Sequence, residues 1–304
     1  MADKKSFGSY ELYTISSGEL TAEVITLGAV VRSLKLGEQE LVLGHTSPED
    51  YLADPNYMGA VLGRYANRIG GACVEINGVK YELDANENGN TLHGGFVPTS
   101  KMEWTVDDCS DSSVKLSLTL TDGQAGFPGN ITMSVTYTVS GKTLEVKFEG
   151  LSDKDTFYSP TCHPYFNFGG TPDVRRAKLQ VNAKNRVEPG PGLIPTGAVI
   201  PADGVFDFKT MRTVTQNYDD CFVLSGTDAC TLEMNGIVMK LKTDFPAVQI
   251  YTGEFIGGKY KPNNGLAVEP EFFPDSPNHP NFPSTLLRAG EHFVKTAEYS
   301  FEKI

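Results

Sequence analysis

The sequence predicts an all-β fold, a large antiparallel β-sandwich or barrel. Apolar and polar residues alternate with period two in stretch after stretch. Two Asn-Gly pairs sit at the centres of such stretches, where only a two-residue hairpin turn fits them. Helical periodicity is scarce, while 31 glycines and 18 prolines are spread along the whole chain. Many short strands broken by frequent turn residues read as a sheet-on-sheet architecture.

Along the chain the elements follow in order. Ser47 to Leu52 (SPEDYL) is one short helical candidate. CVEINGVKYEL, residues 73–83, reads as a hairpin turning at Asn77-Gly78, because Asn and Gly supply the positive φ of a type I′ turn. Val114, Leu116, Leu118 and Leu120 alternate with Lys115, Ser117 and Thr119. Ile131, Met133, Val135, Tyr137 and Val139 do the same, Ser140-Gly141-Lys142 turns the chain, and Leu144, Val146 and Phe148 resume the pattern. These are half-buried antiparallel strands. A turn is expected near Phe208 to Met211, and TLEMNGIVMKLK gives a second hairpin at Asn235-Gly236. Leu266-Ala267-Val268 is a buried strand that ends on Glu269, followed by a loop carrying Pro270, Pro274, Pro277, Pro280 and Pro283. Proline fixes φ and lacks a donor, so this loop is expected to be a stiff wall and neither helix nor central strand. No linker, low-complexity tract or repeat divides the sequence, and a single domain over residues 1–304 is expected.

Composition narrows the function classes. The net charge of -12 disfavours phosphate backbones and anionic lipid, so nucleic-acid and membrane partners are not expected. No apolar run approaches the roughly 20 residues of a membrane helix. The opening MADKKSFGSYELY has no apolar signal core, and the five cysteines form no CxxC pair. Reduced thiols and a cytoplasmic location are expected, without zinc held by cysteine.

Chemistry-bearing residues gather in turn-rich segments. His93 precedes Gly94-Gly95, where the backbone can approach something closely. His163 lies between Cys162 and Pro164 and leads into Tyr165-Phe166-Asn167-Phe168. Arg68 sits among apolar residues and glycines, as an internal ion-pair partner or a fork for an oxygen-rich ligand. Asp219 stands at a strand entry and by itself reads as a turn cap. Glu269 is the strongest single candidate, because a strand end with a rigid flank suits a carboxylate that must be desolvated and aimed. One arginine, two histidines and two carboxylates would serve a two-His, one-carboxylate metal site. They would equally serve acid/base work on a neutral polyol, or glycoside hydrolysis by paired carboxylates. Residue chemistry leaves these three open.

GAVLGRYANRIGG, NTLHGG, HPYFNFGG, YDDCFVL, VQIYTGEF and VEPEFFPDSPNHPNFPSTLLRAGE occur in that order. Together they resemble the aldose 1-epimerases, the galactose mutarotase family, over nearly the whole chain. The resemblance implies one large antiparallel β-sandwich, a supersandwich. It implies Glu269 as general base and His163 as general acid. Arg68 and His93 would hold the sugar near its reacting end, Asp219 would grip ring hydroxyls, and Asn67 and Gln249 would add substrate contacts. The implied substrate is a small aldose such as galactose or glucose, acted on without cofactor or metal by a monomer or homodimer. Two other readings are a hexose-6-phosphate 1-epimerase and a non-catalytic carbohydrate-binding sandwich.

The sequence departs from the family pattern in places. Pro270-Glu271 replaces the common Thr-Gln; Glu271 is expected to face solvent, and pointing inward it would raise the proton affinity of Glu269. Phe96-Val97-Pro98-Thr99-Ser100-Lys101 replaces a Gly-aromatic-acid/amide-Lys run. Ser159, Pro164 and Asp220 stand where asparagine, serine and histidine are commoner.

Overall fold

The computed structural model describes residues 3–304. Three large sheets carry the fold. The nine-stranded sheet runs, edge to edge, through strands Thr105–Cys109, Ser113–Leu120, Ile131–Ser140, Thr143–Ser152, His292–Lys303, Ile237–Thr243, Asp228–Met234, Lys178–Val181 and Arg212–Thr213. The five-stranded sheet is an N-terminal meander from Asp3–Phe7 to Gln39–Glu40. The six-stranded sheet runs Tyr165–Phe166, Leu266–Glu271, Ala247–Tyr251, Asp219–Leu224, Ala183–Pro189 and Pro195–Pro201. The pairings between neighbouring strands in these sheets are antiparallel.

Period-two alternation explains how the layers meet, since residues i and i+2 share a face. Val114, Leu116, Met133, Val135 and Phe148 of the nine-stranded sheet share one buried cluster with Ile15 and Val24 of the meander. Phe222, Val248, Ile250, Leu266 and Val268 of the six-stranded sheet join the same cluster. The apolar rows of all three sheets thus bury one another, as a sandwich requires.

Both Asn-Gly hairpins form as the sequence predicts. Ile76 pairs with Val79 and Met234 with Ile237, with positive φ at Asn77, Gly78, Asn235 and Gly236. The helix Pro48–Ala53 also forms, capped by the Ser47 side chain accepting from Asp50 N–H. Near Phe208 the chain makes only bends, after a 3-10 turn at Gly204–Phe206.

The strand that opens on Leu266 corrects the sequence reading. It does not stop at Glu269 but continues through Pro270 to Glu271, paired with Ala247–Tyr251 throughout. On its other side the short strand Tyr165–Phe166 reaches only Leu266 and Ala267. Beyond Ala267 that side is an edge, so the missing N–H of Pro270 costs no ladder bond. The Pro270 carbonyl accepts from Thr161 Oγ1 at 2.8 Å. One consequence follows from parity alone: Glu269 and Glu271 lie on the same face. Glu271 is therefore buried, with 0% exposure, and the expectation that it faces solvent is overturned.

Candidate active site

The six-stranded sheet has one apolar and one polar face. Opposite the core, the register aligns Asp219 with Tyr251 and Ala267, and Cys221 with Gln249 and Glu269. Val223, Ala247 and Glu271 form the next row. Polar side chains on a face that is nevertheless covered are what a binding cleft needs.

The cover comes from two sources. The proline-rich loop packs Phe273 and Phe282, ring centroids 5.2 Å apart, in one cluster with Ala247 and Cys221. It is tied to the segment carrying Arg68: Asp275 N–H donates to the Arg68 carbonyl at 2.8 Å, and Gly70 N–H donates to Asp275 Oδ1 at 2.8 Å. The loop forms a wall of the cleft, as expected from the sequence. A 3-10 turn at Ser276–Asn278 corrects the expectation that it holds no helix. The other cover is the segment from Asn67 to Gly95. His93 has φ 50°, and it forms a reciprocal pair with Asn67. His93 N–H donates to the Asn67 carbonyl, and Asn67 N–H donates to His93 Nδ1, each at 3.1 Å. Accepting at Nδ1 places the proton of the neutral ring on Nε2. The close approach expected at Gly94 is to the protein's own backbone. A Cβ there would meet the Gly63 carbonyl at 2.2 Å, and φ is +86°.

Between these covers lies an open cleft of about 230 Å³. Asn67, Arg68, His93, His163, Asp219, Gln249 and Glu269, all seven residues singled out in the sequence, line it. A larger groove of about 610 Å³ elsewhere is lined by lysines such as Lys184 and Lys240 and lacks such convergence.

His163 and Glu269 face one another, Nε2 to Oε2 at 3.6 Å, both buried. Tyr165 packs on His163 with ring centroids 4.7 Å apart, and His93 lies 5.9 Å away edge-on. Burial, followed by the charges of Glu271 and Asp219, pushes the proton affinity of Glu269 well above the carboxylate range. Burial pulls His163 down to about 4, outweighing the opposing backbone hydrogen bond and the charge of Asp54. His93 is held well below its usual value by burial and by His163 and Arg68, so it is a neutral Nε2–H donor. Asp219 is raised, chiefly by burial.

Arg68 grips Glu87 with both arms of its fork, Nε to Oε2 at 2.7 Å and Nη2 to Oε1 at 2.9 Å. Gln249 Nε2 donates to Asp219 Oδ1 at 2.6 Å, while Gln249 Oε1 is buried without a partner. Asn67 spends its amide inward, with Nδ2 on Glu271 Oε1 at 3.0 Å and Oδ1 accepting from Arg68 N–H at 2.9 Å. Asp220 points to the opposite face from Asp219 and pairs with Arg186 at 3.0 Å. Among the described residues no group of three or more His, Cys, Asp or Glu is disposed to hold a metal ion. No helix there is long and apolar enough to cross a membrane.

Sequence reasoning missed several lining residues. Glu87 sits just before the NTLHGG block, in an Asn- and Gly-rich turn that is itself a signal. Tyr57, with φ 56°, packs against His93 with tilted rings 4.6 Å apart and carries no sequence cue. Phe255, 76% exposed, stands at the mouth of the cleft.

Chemically the cleft offers a buried imidazole facing a buried carboxyl, further polar donors and acceptors, and one arginine already paired with Glu87. Comparisons with known proteins show the family. The family model described as aldose 1-epimerase matches residues 11–300. The galactose mutarotase of Mus musculus is 32% identical over 97% of this chain and 94% of its own length. The aldose 1-epimerase of Escherichia coli is 32% identical over 96% of this chain and 95% of its own. A solved aldose epimerase homologue from C. elegans superposes with a TM-score of 0.93 at 28% identity, covering 97% of this chain and all of that one. With the family model spanning nearly every block that frames the cleft, this chain belongs to the aldose 1-epimerase family.

Proposed function

We propose that the chain interconverts the α and β anomers of a free aldohexose such as galactose or glucose, with Glu269 and His163 as the reacting pair. The proton of the C1 hydroxyl leaves its oxygen as another reaches the ring oxygen, the C1–ring-oxygen bond breaks, and the ring opens to the aldehyde. Rotation about C1–C2 presents the other carbonyl face, and reversal of the steps closes the ring. One proton shared by two buried groups serves both directions, because whichever group gives it up becomes the base for the return. The 3.6 Å approach of His163 to Glu269 inside the cleft is the observation that carries this reading. Proton transfer from a positioned group is worth about 10²–10⁴-fold.

The remaining lining residues take supporting roles. His93 Nε2–H and Arg68 donate toward the reacting end of the sugar. Asp219 and Gln249, already bonded together, present acceptors and donors to ring hydroxyls. Asn67 shapes the wall that His93 leans on.

Charge favours a neutral sugar over a phosphate ester. The only Arg or Lys among the lining residues is Arg68, against the carboxylates Glu87, Asp219 and Glu269, and Glu87 holds its fork. A dianionic phosphate would meet a net negative wall. Polarimetric decay of freshly dissolved α-D-galactose, α-D-glucose and glucose 6-phosphate tests the reading. Free hexoses should equilibrate far faster than their spontaneous rates, and the ester should not. Acceleration of the ester alone, or of none of the three, rejects it.

A further inference from the structure

Glu271 is the buried group that the reaction as described does not use. It lies two residues past Glu269 on the same strand face and has no exposed surface. It is not among the residues lining the cleft, whereas Glu269 is. Its Oε1 accepts from Asn67 Nδ2 at 3.0 Å, and its Oε2 is buried with no hydrogen-bond partner. No basic side chain forms an ion pair with it among the described residues: Arg68 is bound by Glu87, and Asn67 is neutral. The groups facing it are Glu269 on its own strand, and Asp219 and Cys221 on strand Asp219–Leu224. Tyr65 and Arg68 face it from the segment before His93. Burial keeps the Cys221 thiol and the Tyr65 phenol neutral. The carboxylates Glu269, Glu271 and Asp219 therefore share this space with one arginine already spoken for. Burial and like charge together disfavour ionising all three, and at least one proton stays among them.

We propose that Glu271 is a positioning residue for this reaction: its carboxyl acts on Glu269 as a buried like-charged neighbour and anchors Asn67, and so keeps the reacting pair in its one-proton state. Placement decides which carboxyl does which job. Glu269 opens on the cleft, where a sugar hydroxyl can exchange a proton with it. Glu271 sits behind it with an unpartnered oxygen, where a neutral carboxyl is cheapest. Its proton affinity is raised, by burial and by Asp219, to about 8. As pH rises and Glu271 ionises, its charge makes the last proton on Glu269 harder to remove, extending the range in which the Glu269–His163 pair keeps one. Through Asn67 the same residue steadies the backbone N–H that fixes the His93 tautomer.

The inference rests on Glu269 and His163 being the reacting pair, and the experiment separates the two claims. In Glu271→Gln an amide oxygen still accepts from Asn67, so the brace is kept while the proton site is lost; Glu271→Leu loses both. The pH profile of kcat/KM for mutarotation is measured by polarimetry for wild type and both variants. The alkaline limb should move to lower pH by about one unit or more in Glu271→Gln, because a like-charge neighbour is gone. Glu271→Leu should show that move and a raised KM as well. An alkaline limb that stays in place, or moves upward, overturns the proposal. Infrared titration of the wild-type protein reads the same proton without any turnover. A carbonyl stretch from a buried protonated carboxyl should persist at neutral pH and vanish on a titration that matches the alkaline limb. Its absence at neutral pH overturns the proposal even if neither variant folds. Absence of mutarotation in wild type, with the band present, overturns the functional reading and leaves the buried protonated carboxyl standing.

Discussion

At the scale of single residues, burial is the dominant agent. Glu269 and His163 are opposite in charge type, and the same loss of water moves both toward neutrality, one up and one down. The pair therefore titrates as a unit that needs one proton in total. Its pH dependence follows with a definite sign. When pH falls through about 4, His163 takes a second proton and the pair has no base left. When pH rises past the raised value of Glu269, the shared proton leaves and the pair has no acid left. The profile of kcat/KM should thus hold a plateau that runs from about 4 through and beyond pH 7. An ordinary glutamate and histidine would confine it to roughly 4.3–6.5. A narrow bell already falling near pH 6.5 would show that burial does not set these affinities.

At the scale of elements, parity and edges explain what the sequence made legible and what it did not. Asn77-Gly78 and Asn235-Gly236 are readable because their turn chemistry is local. The Ser47 cap is readable for the same reason. Glu269 stands out because an apolar run leads straight to it. Glu271 was misread because Pro270 breaks the pattern that signals a strand. Whether a proline ends a strand depends on what lies beside it, and the neighbour Tyr165–Phe166 comes from about a hundred residues away. No local signal encodes where that neighbour stops. Arg68 was visible, but its clamp by Glu87 was not, since a bidentate pair is a property of two loops brought together. The Pro270 carbonyl turns to Thr161 Oγ1 in place of a ladder partner. Thr161→Val should leave that carbonyl buried and unpaired, lowering unfolding free energy by about 1–3 kcal/mol in a denaturant titration. An unchanged midpoint would mean the strand end is held by the loop alone.

At the scale of the whole molecule, the cleft exists only because distant segments converge. Arg68 and His93 come from the segment before the nine-stranded sheet begins, His163 from the short strand region that follows its hairpins, and Asp219, Gln249 and Glu269 from the six-stranded sheet. The core built from all three sheets holds the segments that carry them together. The net charge of -12 fits this arrangement, since a neutral sugar is indifferent to an acidic surface that repels polyanions. If His163 and Glu269 are halves of one proton-handling unit, removing either should disable both. The direct test is a double-mutant cycle of Glu269→Gln and His163→Gln, read as kcat/KM for α-D-galactose mutarotation above the spontaneous rate. Each single variant should lose about 10²–10⁴-fold, and the double variant little more than the worse single. Losses that multiply, or a single variant that keeps wild-type rate, would contradict the pairing on which the account stands.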